Sequence, residues 1–335
     1  MKFNIHFTTP PHAIVACILA LSIVFAFTSC SDGSSGGSDD DSGQVTNPAE
    51  NPSDSGNGGG ANTNPTESKA TYTITFDANG GSGTMNPQIF TYGEPQNLSP
   101  NEFTMENKDF LGWAKTSGGS IAYDDNSGYT IGTADVTLYA VWGKLVTADK
   151  AATVIAGLEG GTRENPNVYM IKITDKTLTA EQLKEIGTTI ETVANKSNYY
   201  AFFSLDLSSA TEVTKIPEEA FSTCRLRGLI LPDSLETIGI GAFGYNRFEE
   251  IVIPDNVKTI EDGGFEYCSK LKTITLPASL VSIGASAFAG TVLETVYYKG
   301  PQAQWEILKT NISTTDNDKL TGAKIIYSDG IINGE

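Results

Sequence analysis

The pattern of apolar and polar positions changes character several times along the chain. Ala13 to Phe27 (AIVACILALSIVFAF) is an apolar run interrupted only by Ser22. Ser31 to Ala70 has no aromatic residue and only Val45 as a branched aliphatic. It cannot bury enough surface to offset the entropy of ordering, so a disordered tether is expected there. Tyr72-Thr-Ile-Thr-Phe-Asp77 alternates at period two, as a half-buried strand does. Phe110 to Trp113 and Thr137 to Trp142 read as further strands, and the unit is expected to end after Trp142. The pattern then mixes. Thr147 is placed to cap a short helix with Ala151, Val154, Ile155 and Leu158 inward, and Val168 to Ile173 is a strand candidate. Thr179-Ala-Glu-Gln182 is a capping box opening a helix whose Leu183, Ile186, Ile190 and Val193 keep helical spacing. Tyr200 to Leu207 returns to strand.

From Val213 the chain repeats itself. Four copies read VTKIPEEAFSTCRLRGLIL, LETIGIGAFGYNRFEEIVI, VKTIEDGGFEYCSKLKTITL and LVSIGASAFAGTVLETVYY. Phe221, Phe243, Phe265 and Phe288 recur at steps of 22, 22 and 23, and Ile216, Ile238, Ile260 and Ile283 keep the same steps. Pro232, Pro254 and Pro277 close the first three strands, because proline has no N–H to donate. One such unit cannot bury its own apolar face. Stacking lets each copy cover the next and builds a parallel sheet on one side.

In each strand the residue between the last two core positions should point out of that sheet. This column is Asp206, Ile230, Val252, Thr275 and Tyr297. The next is Ser204, Gly228, Glu250, Thr273 and Thr295, flanked by Arg227, Glu249, Lys272 and Glu294. Ile230, Val252 and Tyr297 are apolar where water is expected. Two readings stand: β-propensity on a sheet surface, or a partner-binding strip made of Ile230, Val252, Thr275 and Tyr297 with Arg227, Glu249 and Lys272 beside it.

Two family resemblances rest on these residues. TITFDANGG, FLGW, Gly118-Gly119 and TLYAVW together resemble the internalin B-type, or Listeria–Bacteroides, repeat. That resemblance implies a small β-grasp-like module of surface proteins, with no catalytic residue to carry over. The recurring IxxxAF, the Cys three residues after Phe, and LxxIxLP resemble the BspA-like leucine-rich repeat, although Asn246 and Thr291 replace that cysteine in the second and fourth copies. Tyr298-x-Gly300, Gln304-Trp305-x-x-Leu308 and Leu320-x-x-Ala-x-Ile-Ile-Tyr327 resemble its C-terminal cap. The expected fold class is a multidomain α+β and solenoid chain: a small β module, then a short capped leucine-rich-repeat solenoid with a parallel sheet. The expected divisions are 1–29 leader, 30–70 tether, 71–143 module, 144–207 N-terminal cap, 208–298 repeats, and 299–335 C-terminal cap and tail.

The leader changes what chemistry is available. Lys2 followed by the apolar run reads as an export signal. Thr28-Ser29-Cys30 resembles the lipobox of bacterial lipoproteins, in which Cys30 would receive lipid and become the mature N-terminus; Phe27 stands where that family usually has Leu. The alternative is an ordinary signal peptide with an incidental cysteine. Removal of 1–29 discards His6 and His12, the only histidines. It leaves no imidazole for a Ser-His-Asp triad or a His-ligated zinc.

The 22 Lys and Arg against 40 Asp and Glu give −18, or −19 once Lys2 is lost. That excludes nucleic acid as the expected partner, since phosphate binding needs clustered cations. No cofactor and no metal are expected. Gly80-Gly81-Ser82-Gly83 lacks phosphate-loop spacing and reads as a hairpin turn, and Asp124-Asp-Asn126-Ser-Gly128 lacks the closing Glu of a calcium loop. Cys224 and Cys268 fall in one slot two repeats apart, about 10 Å, too far for a disulfide, so free buried thiols are expected. The resemblance implies a non-catalytic, exported, lipid-anchored protein of the bacterial outer membrane or cell surface. Its expected partners are a host-matrix or bacterial surface protein, and the membrane through the lipid on Cys30. The alternative is an envelope scaffold; carbohydrate binding is a further class.

Overall fold

The computed structural model describes residues 69–196 and 200–330. The leader, Cys30 and the tether up to residue 68 lie outside them. Six strands make the first region: β1 (Thr71–Asp77), β2 (Gln88–Thr91), β3 (Pro95–Asn97), β4 (Asp109–Ala114), β5 (Gly128–Thr130) and β6 (Val136–Val146). β1 lies parallel to β6 and antiparallel to β2, and β4 is antiparallel to β6. The period-two alternation sends Ile74 and Phe76 inward onto Phe90, Trp113 and Leu138.

Motif residues distant in sequence meet here. The Trp142 indole N–H donates to the Ala78 carbonyl at 2.8 Å. The Asn79 amide donates to the Ala140 carbonyl at 2.8 Å and the Ser117 carbonyl at 2.9 Å. Gly81 is glycine because a Cβ there would stand 2.7 Å from the Trp142 ring. The glycine-rich stretch begins in a tight turn, with Gly81 N–H donating to the Ala78 carbonyl at 2.9 Å, but that turn does not close the hairpin by itself. It opens the long connection of residues 78–87 between β1 and β2 and packs under the tryptophan.

β6 does not stop at Trp142. It continues to Val146 and pairs in parallel with β7 (Asn167–Ile173), which pairs with β8 (Ala201–Asp206), which pairs with β10 (Leu226–Ile230). The sheet order is β10-β8-β7-β6-β1-β2, so one sheet runs from the first region into the repeats. Along β6, Leu138 and Ala140 serve the core of the first region, and Val146 serves the core of the second.

Two helices flank β7. α1 (Ala148–Ala156) buries Ala151 and Ile155, and Leu158 just beyond it is buried too. Thr147 holds the cap position without capping: its hydroxyl turns to Asp149, and the Asp175 carboxylate accepts from Ala148 N–H instead, at 2.7 Å. α2 (Ala180–Ala194) has both halves of its capping box, Gln182 N–H to Thr179 Oγ1 at 3.2 Å and Thr179 N–H to Gln182 Oε1 at 2.9 Å. Its inward face is Leu183, Ile186, Ile190 and Val193, with Gly187 between. A Cβ at Gly187 would fall 1.7 Å from the Ala220 carbonyl oxygen, so only glycine lets α2 lie against the first repeat.

The repeats build two parallel ladders over one core. The short ladder is β9 (Lys215–Ile216), β11 (Thr237–Ile238), β13 (Thr259–Ile260) and β15 (Ser282–Ile283). The long ladder is β12 (Glu250–Val252), β14 (Thr273–Leu276), β16 (Thr295–Tyr298) and β17 (Lys324–Tyr327), with β10 beside β12. Between the ladders the phenylalanines stack: Phe221–Phe243 at 5.8 Å and 5°, Phe243–Phe265 at 5.5 Å and 18°, and Phe265–Phe288 at 5.5 Å and 10°. The residue two after each Phe (Thr223, Tyr245, Tyr267, Gly290) has positive φ, which turns the chain back toward the long ladder.

The slot three after each Phe serves buried carbonyls. The Cys268 thiol donates to the Phe243 carbonyl at 3.1 Å and the Cys224 thiol to the Gly187 carbonyl at 3.3 Å. Both cysteines are free and buried, as expected. Asn246 does more: its amide donates to the Phe221 and Phe243 carbonyls at 2.8 and 2.9 Å, while its oxygen accepts from Leu226 N–H at 2.8 Å. At the far end, α3 (Gln302–Lys309) and α4 (Asp318–Thr321) bring Trp305 onto Tyr298 at 5.2 Å, and β17 adds a strand to the long ladder.

Candidate functional site: the outward face of the long ladder

The expected columns come together on this face. Val252 pairs with Thr275, Thr275 with Tyr297, and Tyr297 with Ile326. Glu250, Thr273, Thr295 and Lys324 form the second column in the same way. Their neighbours Ile251, Ile274, Val296 and Ile325 are buried, so period two sends these columns outward. Val252 is 57% exposed and Tyr297 38%, while Ile230 and Thr275 are half-buried. Glu249, Lys272 and Glu294 stand exposed along one end of the strands. Ile326 is a member that repeat spacing missed, because β17 follows two helices rather than a 22-residue step. The signal for it was the Ile-Ile-Tyr triplet, which copies the apolar end of the other strands.

Asp206 departs from expectation. It pairs with Ile230 at the head of the column, yet it is fully buried. β7 continues the sheet beside β8 and places Lys172 opposite Asp206. The Lys172 ammonium lies 3.7 Å from the Asp206 carboxylate and 2.7 Å from that of Asp124. Asp124 reaches in from the first region, so the acidic turn read against a calcium loop holds a lysine, while Asp125 accepts from Asn101 N–H at 2.9 Å. This cluster closes the column at its first-region end, and the open part of the face starts at β10.

At that start sits a cation–aromatic group. The β8–β10 register shifts between Leu226 and Gly228, so Arg227 is the extra residue of a bulge. Its guanidinium lies over the Phe202 ring at 3.5 Å from the centroid, and that of Arg247 stands 6.0 Å from the same ring. Burial, and the charge of Arg247, push the Arg227 pKa down; Glu249 pushes it up.

Other chemistry is sparse. Among the described residues no three His, Cys, Asp or Glu side chains gather as a metal site would. Burial pushes the Cys268 thiol up to about 12 and Cys224 further, so neither is a nucleophile near neutral pH. A shallow cleft of about 520 Å³ lies outside the short ladder, crossed by the 2.6 Å Lys215–Glu261 ion pair. Not every aromatic is in a core slot: Tyr245 and Tyr267 stack at 4.9 Å and are exposed.

Comparison with known proteins places this geometry. Residues 188–306 match the BspA type Leucine rich repeat region in six copies, and residues 72–141 match the Listeria-Bacteroides repeat domain. Six copies extend the repetition to either side of the four read from spacing, into α2 and β8 and into α3. Among solved structures the chain is similar to a leucine-rich repeat protein from Bacteroides ovatus ATCC 8483. The identity is 17%, over 68% of this chain and 71% of that one, with a TM-score of 0.22. None of the curated proteins matches the chain.

Proposed function

We propose that this chain, which carries a BspA-type leucine-rich-repeat region behind a Listeria–Bacteroides repeat domain, is a non-catalytic surface protein that binds another protein on the outward face of its long ladder. The observation that carries the reading is the open apolar strip. Ile230, Val252, Tyr297 and Ile326 point away from a core that is already complete, and among the described residues no element covers Val252 or Tyr297. Exposed apolar residues cost little singly, but a column that gathers them on one rigid sheet, with only Thr275 between Val252 and Tyr297, is a ready surface for a partner.

The remainder of the reading is organised around that face. Residues 1–29 export the chain, lipid on Cys30 anchors it at the outer membrane or cell surface, and residues 30–70 tether it. The division at 71–143, 144–207, 208–298 and 299–335 sets a β-grasp-like module and two caps around the repeats. The mixed order β2-β1-β6-β4 and the packing of α2 and Trp305 against the end repeats support those roles. The partner is a host-matrix or cell-surface protein.

The test combines two measurements. Residues 71–335, wild type and Ile230→Glu with Tyr297→Ala, are titrated against a panel of purified matrix proteins. Binding by the wild type and its loss in a variant of unchanged melting temperature is the expected result; equal binding by both would overturn the strip. Protease shaving of intact cells should release the repeats. Protection would instead favour a periplasmic envelope scaffold.

A further inference from the structure

The chain has four arginines, and three of them, Arg225, Arg227 and Arg247, fall within residues 225–247. This is a local reversal in a chain of net charge −18. Arg227 and Arg247 gather at one ring, Phe202, Arg227 at 3.5 Å from its centroid and Arg247 at 6.0 Å. That ring faces outward on β8 and is only 9% exposed. The bulge in β10 aims Arg227 across the ring.

Stacking uses the flat face of a guanidinium and leaves its N–H edge for hydrogen bonds. Both arginines are exposed, and among the described residues neither guanidinium has a carboxylate within ion-pair distance. Glu250 opens the neighbouring strand and Glu249 precedes it; both are exposed, and although the charge of Glu249 acts on Arg227, neither carboxylate is within ion-pair distance of either guanidinium. Several surface lysines, such as Lys215, Lys258, Lys299 and Lys309, do have a carboxylate at 3.0 Å or less. Ile230 lies on the same strand three residues beyond Arg227, about 10 Å, and Val252 on the next.

We propose that Arg227 and Arg247, held over Phe202, are the anion-reading end of the apolar strip, and that the partner presents a protein carboxylate beside an apolar side chain, in an extended acidic segment. This rests on the strip being the docking face. It adds the chemistry of the partner and its direction: acidic group at β10, apolar groups toward β16. A sulfated glycan would satisfy the arginines but would gain nothing from Ile230, Val252 and Tyr297, which is why a protein segment is the better fit.

The probes are short fluorescein-labelled peptides of alternating Val and Thr ending in two Glu, in two Gln or in two Lys, together with a heparin oligosaccharide. Fluorescence anisotropy is read against residues 71–335. The Glu peptide should bind about tenfold or more tightly than the Gln peptide, and the Lys peptide least. Its binding should weaken as NaCl is raised. Arg227→Gln with Arg247→Gln should bring the Glu peptide down to the Gln peptide, and Val252→Glu should remove both.

Equal binding of Glu and Gln peptides, an unaffected double-arginine variant, or no peptide binding at all would overturn the proposal. Equal Glu and Gln binding that is still lost in Val252→Glu would leave the strip standing and remove only its anion end. Arginine-dependent peptide binding that ignores Val252→Glu would instead remove the strip, and this proposal with it. Arginine-dependent binding of heparin alone would assign the pair to glycans and contradict it.

Discussion

The two ladders of the repeat region share one core and differ on their outer faces. Inward, both supply the same kind of residue: Ile238, Ile260 and Ile283 from the short ladder, Ile251, Ile274 and Val296 from the long one. Outward, the short ladder shows Lys215, Thr237, Thr259 and Ser282, with Lys215 tied to Glu261 across the cleft. The long ladder shows Ile230, Val252, Thr275, Tyr297 and Ile326. Stacking demands only the inward residues, so the outward ones are free to differ. Where one face is hydroxylic and ion-paired and its sister carries a largely apolar column beside a polar one, that apolar column is the part with something to gain from a partner.

The largest blow to the shared core should come from Phe243→Ala. Its ring stacks on two others, and removing it should cost about 3–5 kcal/mol in urea unfolding. Amides of both ladders should then lose exchange protection together. If only one ladder loosens, the ladders do not share a cooperative core.

Lys172→Met comes next. It strands Asp206, whose Oδ2 already has no hydrogen bond, as a buried carboxylate without a counter-charge. A loss of about 3 kcal/mol is expected, recovered in large part by adding Asp206→Leu. An additive double mutant would show that the cluster does not close the column. Asn246→Cys copies the sister repeats and keeps a donor for the Phe221 carbonyl, but leaves Leu226 N–H unpaired. It should cost about 1–3 kcal/mol, whereas no loss of stability would mean that the slot needs only a donor.

The thiols give the gentlest probe. Both are held neutral by burial, with Cys268 raised to about 12. An acid whose folded pKa lies above its unfolded value stabilises the fold fully below about pH 8.5 and loses that contribution as pH climbs toward 12. Chemical denaturation midpoints should therefore fall above pH 8.5 by less in a Cys224→Ala, Cys268→Ala protein than in the wild type. Native protein should also resist thiol reagents at pH 8; rapid labelling would contradict the burial.

Much of this was legible because a repeat places the same residue type in the same slot each time. The Phe stack, the free cysteines, the closing prolines and the registers of Val252, Thr275 and Tyr297 all follow from one 22-residue step. What escaped lay where the step ends or where distant segments meet. β6 ran past Trp142 because β7, about thirty residues later, offered it a partner. Asp206 was buried by Lys172 and Asp124, which no local pattern joins to it. Thr147 lost its cap to Asp175. Arg227 reached Phe202 through a bulge, an irregularity that periodicity smooths away.

The most direct measurement puts the same photo-crosslinking amino acid on each ladder, at Val252 or at Thr259, in cells that display the protein to its partner. An adduct from position 252 and none from position 259 is the predicted result. An adduct from position 259 alone, or equal adducts from both, would contradict the assignment of the long ladder's outward face as the binding surface.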